Sequence, residues 1–195
     1  GVSSAASDVY KRQYLDRLHC AVGGVTAESL ELLHSDLLRC WDSGHRIYLC
    51  GNGGSAGNAI HLANDFIFGA GRERGIGLRA EALPANQSIV TCLANDIGYD
   101  EIFAEQLRVK GDPGDMLIAL SGSGNSPNIL KVLELARKMN VNTHAILGFD
   151  GGKAKSIAQN VLHVEINDMQ IAEDAQVIIG HLMMQWLYGF THDVK

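Results

Sequence analysis

An α/β fold, a flavodoxin-like three-layer sandwich built on a five-stranded parallel sheet with helical extensions at both ends, is what the sequence predicts. Three observations predict it. Short apolar runs alternate with amphipathic stretches along most of the chain, a pattern that implies parallel strands joined by crossover helices. Two small-residue loops, Gly51-Asn-Gly-Gly-Ser55 and Ser121-Gly-Ser-Gly-Asn-Ser126, each stand between an apolar run and a helical pattern, and open α/β sheets place their ligands at such strand ends. The 195 residues are 46% hydrophobic and 19% charged, which supports a full core in one domain.

Taken in order, residues 2–13 show no convincing apolar period and are expected to be a non-native leader, so that residues 1–13 stand apart from a single domain over 14–195. Helical pattern runs over 14–22 and breaks at Gly23-Gly24. Thr26 is placed to cap a helix over 27–42, in which Leu30, Leu33, Leu37, Leu38 and Trp41 recur at helical spacing and which Gly44 stops. A strand over 46–50 leads through the first loop to a helix over 56–68. A strand over 77–83 and helices over 88–94 and 101–109 follow. The run 115–120 reads as a strand, and Ser126 as an N-cap with Pro127 at the first position of a helix over 128–139. A strand over 143–147, the Gly151-Gly152 turn, a short helix over 153–158, a strand over 161–164 and a last helix over 171–190 complete the pattern.

The formal net charge is −6 and there is no basic cluster, which argues against a nucleic-acid partner. Cys20, Cys40, Cys50 and Cys92 have no C-x-x-C spacing, and Cys40 and Cys50 sit in apolar surroundings; buried free thiols of a reducing cytoplasm are expected. No apolar run approaches membrane-spanning length and no charged-then-apolar leader opens the chain.

The loop 121–126 packs three hydroxyls, an Asn side chain and several amides into six residues at a helix start. A helix start leaves amide donors unpaired and carries partial positive charge, so such a loop can hold a phosphate without Lys or Arg. An ordinary capped turn is the plainer alternative. The loop 51–57 lacks the G-x-G-x-x-G spacing of a dinucleotide site, the acidic residue for a ribose and the Lys of a P-loop. A loop whose close backbone at Gly53 and Gly54, with Ser55, grips a sugar or phosphate is preferred.

His61 and Asp65 lie four apart on the following helix and share a face, a spacing that suits a divalent metal or an acid–base pair as well as a solvated surface pair. Glu173 and His181 sit eight apart on the last helix, close enough in angle to converge on one site. His181 lies in the apolar run 177–184, where a hydrogen-bonded core histidine is the plain reading, and Gly180 beside it hints at close packing. His19, His34, His45, His144, His163 and His192 form no comparable pattern.

Gly51-Asn-Gly-Gly-Ser55, His61, Asn95-Asp96-x-Gly-Tyr99, Ser121-x-Ser-Gly-Asn-Ser126, Gly151-Gly152 and Gly180-His181 together resemble the phosphoheptose isomerases of the sugar-isomerase (SIS) domain superfamily, from about residue 14 to 186. The resemblance implies a ketose–aldose isomerase that converts sedoheptulose 7-phosphate to D-glycero-D-manno-heptose 7-phosphate through an enediol, for bacterial surface polysaccharide. It implies a cytoplasmic homotetramer with shared active sites and no nucleic-acid or membrane partner. It places the phosphate on Ser121, Ser123, Asn125 and Ser126, the sugar on Asn52, Gly53, Gly54 and Ser55, and a further substrate contact on Asp96. It places one zinc-type ion (Zn²⁺) per subunit on His61, Asp65, Glu173 and His181, with Glu173 also near the substrate, Asp65 as base and His181 as acid. The chain departs from the family in carrying Asp65 where a Glu is usual, Glu173 where a Gln is usual and Gly122 where a Thr is usual. A competing register would put Gln176 in the Gln position, but then Met184 would stand where the histidine belongs. A non-catalytic member that binds a protein or senses a phosphosugar stays open, as does an isomerase or epimerase of another phosphosugar.

Overall fold

The computed structural model describes residues 4–72 and 75–189. Five strands, β1 (Arg46–Gly51), β2 (Arg79–Ala82), β3 (Met116–Ser121), β4 (Asn142–Leu147) and β5 (Asn160–His163), form one sheet in the order β2-β1-β3-β4-β5. Every pairing is parallel, with Ile47 opposite Met116 and Ser121 opposite Leu147. The order reverses between β1 and β3, so the loops leaving those two strands diverge and leave a crevice between them.

Alternation along the strands builds two cores. Ile47 and Leu49 of β1 and Met116, Ile118 and Leu120 of β3 face a layer of α1 (Ser4–Gly23), α2 (Ala27–Ser43), α3 (Gly54–Asn64) and α8 (Met169–Leu187). Tyr48 and Cys50, with Leu117 and Ala119, face the opposite layer, which holds α5 (Ala104–Lys110), α6 (Pro127–Lys138) and α7 (Ala154–Ile157). A period of two on strands covered on both faces is the signature of a buried parallel sheet. Between β2 and α5 lies α4 (Gln87–Asp96), which buries none of its residues in the protomer.

The element boundaries differ from those expected in instructive ways. Thr26 caps α2 by accepting from the Ser29 amide, and Gly44 ends it at φ 71°. The first helix begins at Ser4, ahead of the apolar pattern, but its packing starts where that pattern starts: Val9 and Tyr10 are exposed, whereas Tyr14, Leu18 and Val22 lie on the core. The helix expected over 56–68 is α3 followed by a π-turn, Asp65–Gly69, closed by the Ala70 amide on the Asp65 carbonyl. The segment 101–109 is a short 3₁₀ turn, Tyr99–Glu101, and then α5. Phe190, expected to end the last helix, and His192 lie outside the described residues. Cys40 and Cys50 are buried free thiols, and no helix among the described residues is long and apolar enough to cross a membrane.

Candidate active site

The two small-residue loops meet at the carboxyl ends of β1 and β3. Between them is a cavity of about 240 Å³. The first loop lines it with Asn52, Gly53, Gly54 and Ser55, and the second with Ser121, Ser123 and Ser126. Met169 and Glu173 of α8 close the third side. Among the described residues no Lys or Arg lines the cavity, so an anion there would be held by hydroxyls, amides and the two helix starts of α3 and α6.

The serine loop is shaped from within. Ser121 Oγ accepts from the Gly124 amide at 3.0 Å, and Ser123 Oγ accepts from the Asn125 amide at 3.2 Å. Those two amides are spent on the loop, while the hydroxyl hydrogens of both serines remain available as donors. Ser126 stands at the expected N-cap position of α6, but its side chain makes no capping bond, and the residue lines the cavity. Asn125 is turned from the cavity. Its Oδ1 accepts from the Lys153 amide at 3.0 Å and its Nδ2 donates to the Ser123 carbonyl, so in place of the expected phosphate contact it ties the loop to the Gly151-Gly152 turn. Gly124 has φ 64°, and a Cβ on it would overlap the Gly151 carbonyl, which requires glycine twice over. A Cβ on Gly122 would meet Met169 Sδ, so a larger residue at this position requires the flexible Met169 side chain to move.

The first loop is held by polar contacts that the sequence pattern does not announce. Asn52 and Asn128 exchange amide hydrogen bonds at 2.9 and 2.8 Å, and the Tyr99 hydroxyl donates to Asn52 Oδ1 at 3.0 Å. Gln176, buried on α8, donates to Ser55 Oγ at 3.1 Å and accepts from Asn58. Asn128 and Gln176 are each 1% exposed, and buried amides persist only where they are paired.

Further along α3 and α8 a second cluster forms. His61 Nε2 and His181 Nε2 are 2.8 Å apart, and Asp65 Oδ2 lies 3.4 Å from the first and 3.2 Å from the second. The rings meet edge to face. The Asp65 carboxylate is largely buried while both imidazoles are about half exposed, so the cluster opens outward. Two imidazole nitrogens this close share one proton between them or face a common cation. The three donor atoms lie within 4.8 Å of one another and form a group that could hold a metal ion; two nitrogens, one oxygen and an open side fit a zinc-type site.

Two expected members stand elsewhere. Glu173 does not join the His–Asp–His cluster. Eight residues along a helix span about 12 Å, and its carboxylate lies over Gly54, where a Cβ would strike it. Of the four expected donors, three therefore come together in this arrangement, with Glu173 in the loop cavity. Asp96 sits at the end of α4, exposed, with contacts to Cys92 and Asn95; it lines neither the cavity nor the cluster.

The sequence matches the family described as SIS domain over residues 10–148. A phosphoheptose isomerase of Akkermansia muciniphila is 39% identical over 143 residues, 73% of this chain and 75% of that protein. One from Geobacter sp. (strain M21) is 36% identical over 171 residues, covering 86% and 88%. Among solved structures, the phosphoheptose isomerase GmhA from Neisseria gonorrhoeae superposes with a TM-score of 0.84 at 27% identity over 93% of this chain and 96% of that one.

Proposed function

This chain belongs to the phosphoheptose isomerases of the SIS-domain family, and we infer from that premise that it is an aldose–ketose isomerase acting on sedoheptulose 7-phosphate. The observation that carries the reading is the placement of a hydroxyl-lined cavity at the two small-residue loops and of a carboxylate–imidazole cluster further along α3 and α8. Ser121, Ser123 and Ser126 hold the phosphate. Asn52, the Gly53-Gly54 backbone and Ser55 take the sugar, and Glu173 faces its hydroxyls, because a carboxylate repels the phosphate and accepts from hydroxyls.

The chemistry moves one carbon-bound proton and one oxygen-bound proton. Asp65 removes a proton from C1, next to the C2 carbonyl, as His181 gives a proton to O2; the product of this step is the 1,2-enediol. Asp65 then returns its proton to C2 while the O1 hydroxyl gives its proton back to His181, leaving the C1 aldehyde of D-glycero-D-manno-heptose 7-phosphate. One divalent cation of zinc type per subunit, held by His61, Asp65 and His181, would supply Lewis-acid polarisation of the carbonyl in place of the His181 proton. The cytoplasm is the proposed location, and a homotetramer with shared sites the proposed assembly. Support for the assembly comes from α4, none of whose residues is fully buried in its own protomer, and from Asp96, which lines neither the cavity nor the cluster of its own chain.

The test is isomerisation in deuterated water, followed by proton resonance. Deuterium is expected at C2 of the aldose and C1 of recovered ketose. Absence of both exchange and aldose with seven- and six-carbon ketose phosphates overturns the isomerase and leaves the non-catalytic binding reading.

A further inference from the structure

Asn52 is saturated on one side and open on the other. A carboxamide offers two acceptor lone pairs and two N–H donors. Both acceptor positions of Asn52 Oδ1 are filled, by Asn128 Nδ2 at 2.8 Å and by the Tyr99 hydroxyl at 3.0 Å. One of its donors goes to Asn128 Oδ1 at 2.9 Å, which leaves a single N–H with no partner among the described residues, on a side chain that lines the cavity. Asn128 is 1% exposed in the first turn of α6, two residues beyond Ser126, while Tyr99 is 56% exposed and sends only its hydroxyl inward. Three separate segments thus join through one side chain: the loop after β1, the helix start that carries the serine loop, and the turn after α4.

We propose that Asn128 and Tyr99 are positioning residues that lock the sugar loop onto the phosphate loop and fix Asn52 as a donor to an acceptor oxygen of the substrate. This rests on the phosphosugar reading. A sugar phosphate spans both loops and feels their separation; inorganic phosphate needs the serine loop alone. The donor polarity selects a carbonyl or hydroxyl oxygen presented by its lone pair, and disfavours a substrate that offers only an N–H there.

Removing Asn128 opens a buried hole and strands its partner, so Tyr99→Phe, a change at an exposed ring, is the primary variant. Amide exchange reads the clamp without any ligand. The Ala56 and Gly57 amides, which donate to the Gly53 carbonyl, are expected to exchange about threefold to tenfold faster in Tyr99→Phe, the range one net hydrogen bond supplies. KM for sedoheptulose 7-phosphate is expected to rise by a similar factor with kcat within about twofold, while inhibition by inorganic phosphate is unchanged. In an Asn52→Ala background, Tyr99→Phe is expected to add nothing, because both act through the same oxygen. Unchanged exchange at those amides overturns the clamp. Faster exchange with unchanged KM, or a KM effect that persists with Asn52→Ala, overturns the positioning role. A wild-type protein that isomerises no ketose phosphate sinks the isomerase reading instead, and the exchange measurement still decides the clamp.

Discussion

At the scale of single residues, the candidate base is one methylene shorter than the family's usual glutamate, and its reach is set by where the backbone ends. Asp65 opens the π-turn, and the extra residue in such a turn re-aims side chains on the segment that follows, which is why π-turns recur at functional positions. Asp65→Asn keeps the shape and removes the proton acceptor, so deuterium exchange is expected to fall at least about a hundredfold. Calorimetry should find phosphosugar affinity little changed, because the phosphate is held a turn or more away. A variant that exchanges at the wild-type rate shifts the base to Glu173. Helical spacing made His61 and Asp65 legible as a pair, and hydroxyl density made the serine loop legible as a candidate anion site. Asn125 and Glu173 were placed on the right elements, but no one-dimensional pattern reports the rotamer that turns one onto the Lys153 amide and the other onto Gly54. The Asn52–Asn128–Tyr99 junction was invisible for a plainer reason: its members are scattered along the chain and meet only when the sheet closes.

At the scale of elements, α3 and α8 run side by side and carry most of the candidate groups, so their approach distance matters. Gly180 makes that approach close: a Cβ there would overlap the Leu62 side chain, itself 1% exposed. Gly180→Ala gains helix propensity of about 1 kcal/mol but overpacks the seam at a cost of about 1–3 kcal/mol. Urea titration should show a net loss or near balance, and activity should fall more than stability because His181 is the next residue. Wild-type kinetics in a Gly180→Ala protein would show that the seam does not set the cluster. Strands and helices were readable from period and punctuation. The π-turn was not, since an apolar run such as Phe66, Ile67 and Phe68 satisfies either helical period; Phe66 is buried and Phe68 exposed only once the turn is made.

At the scale of the whole molecule, the end of the sheet opposite the ligand loops is pinned by charge. His144, buried on β4, donates through Nε2 to Asp36 of α2 at 2.8 Å, and Asn160 of β5 donates to its Nδ1. That bond, with Arg39 adding to it, holds the Asp36 carboxyl below the usual carboxylate range. The folded state then takes up a proton less readily than the unfolded chain. The resulting stabilisation is complete above the ordinary carboxylate pKa of about 4 and fades as pH falls through the folded-state value. The gap in urea midpoint between wild type and Asp36→Asn should therefore narrow as pH is lowered from neutrality to about 3; a gap independent of pH would show that the carboxylate charge contributes nothing. The strand order carries a different consequence, one of time. β3, β4 and β5 pair with strands that follow closely along the chain, whereas β1 reaches β3 only across β2, α4 and α5. Contacts between distant segments bear the larger loop-closure cost and form late. The crevice at the β1–β3 seam is thus expected to be the last part of the sheet to assemble during refolding. A partly folded chain would hold the α6 half of the cavity before it holds the other, and would complete the candidate site only as its final act of folding.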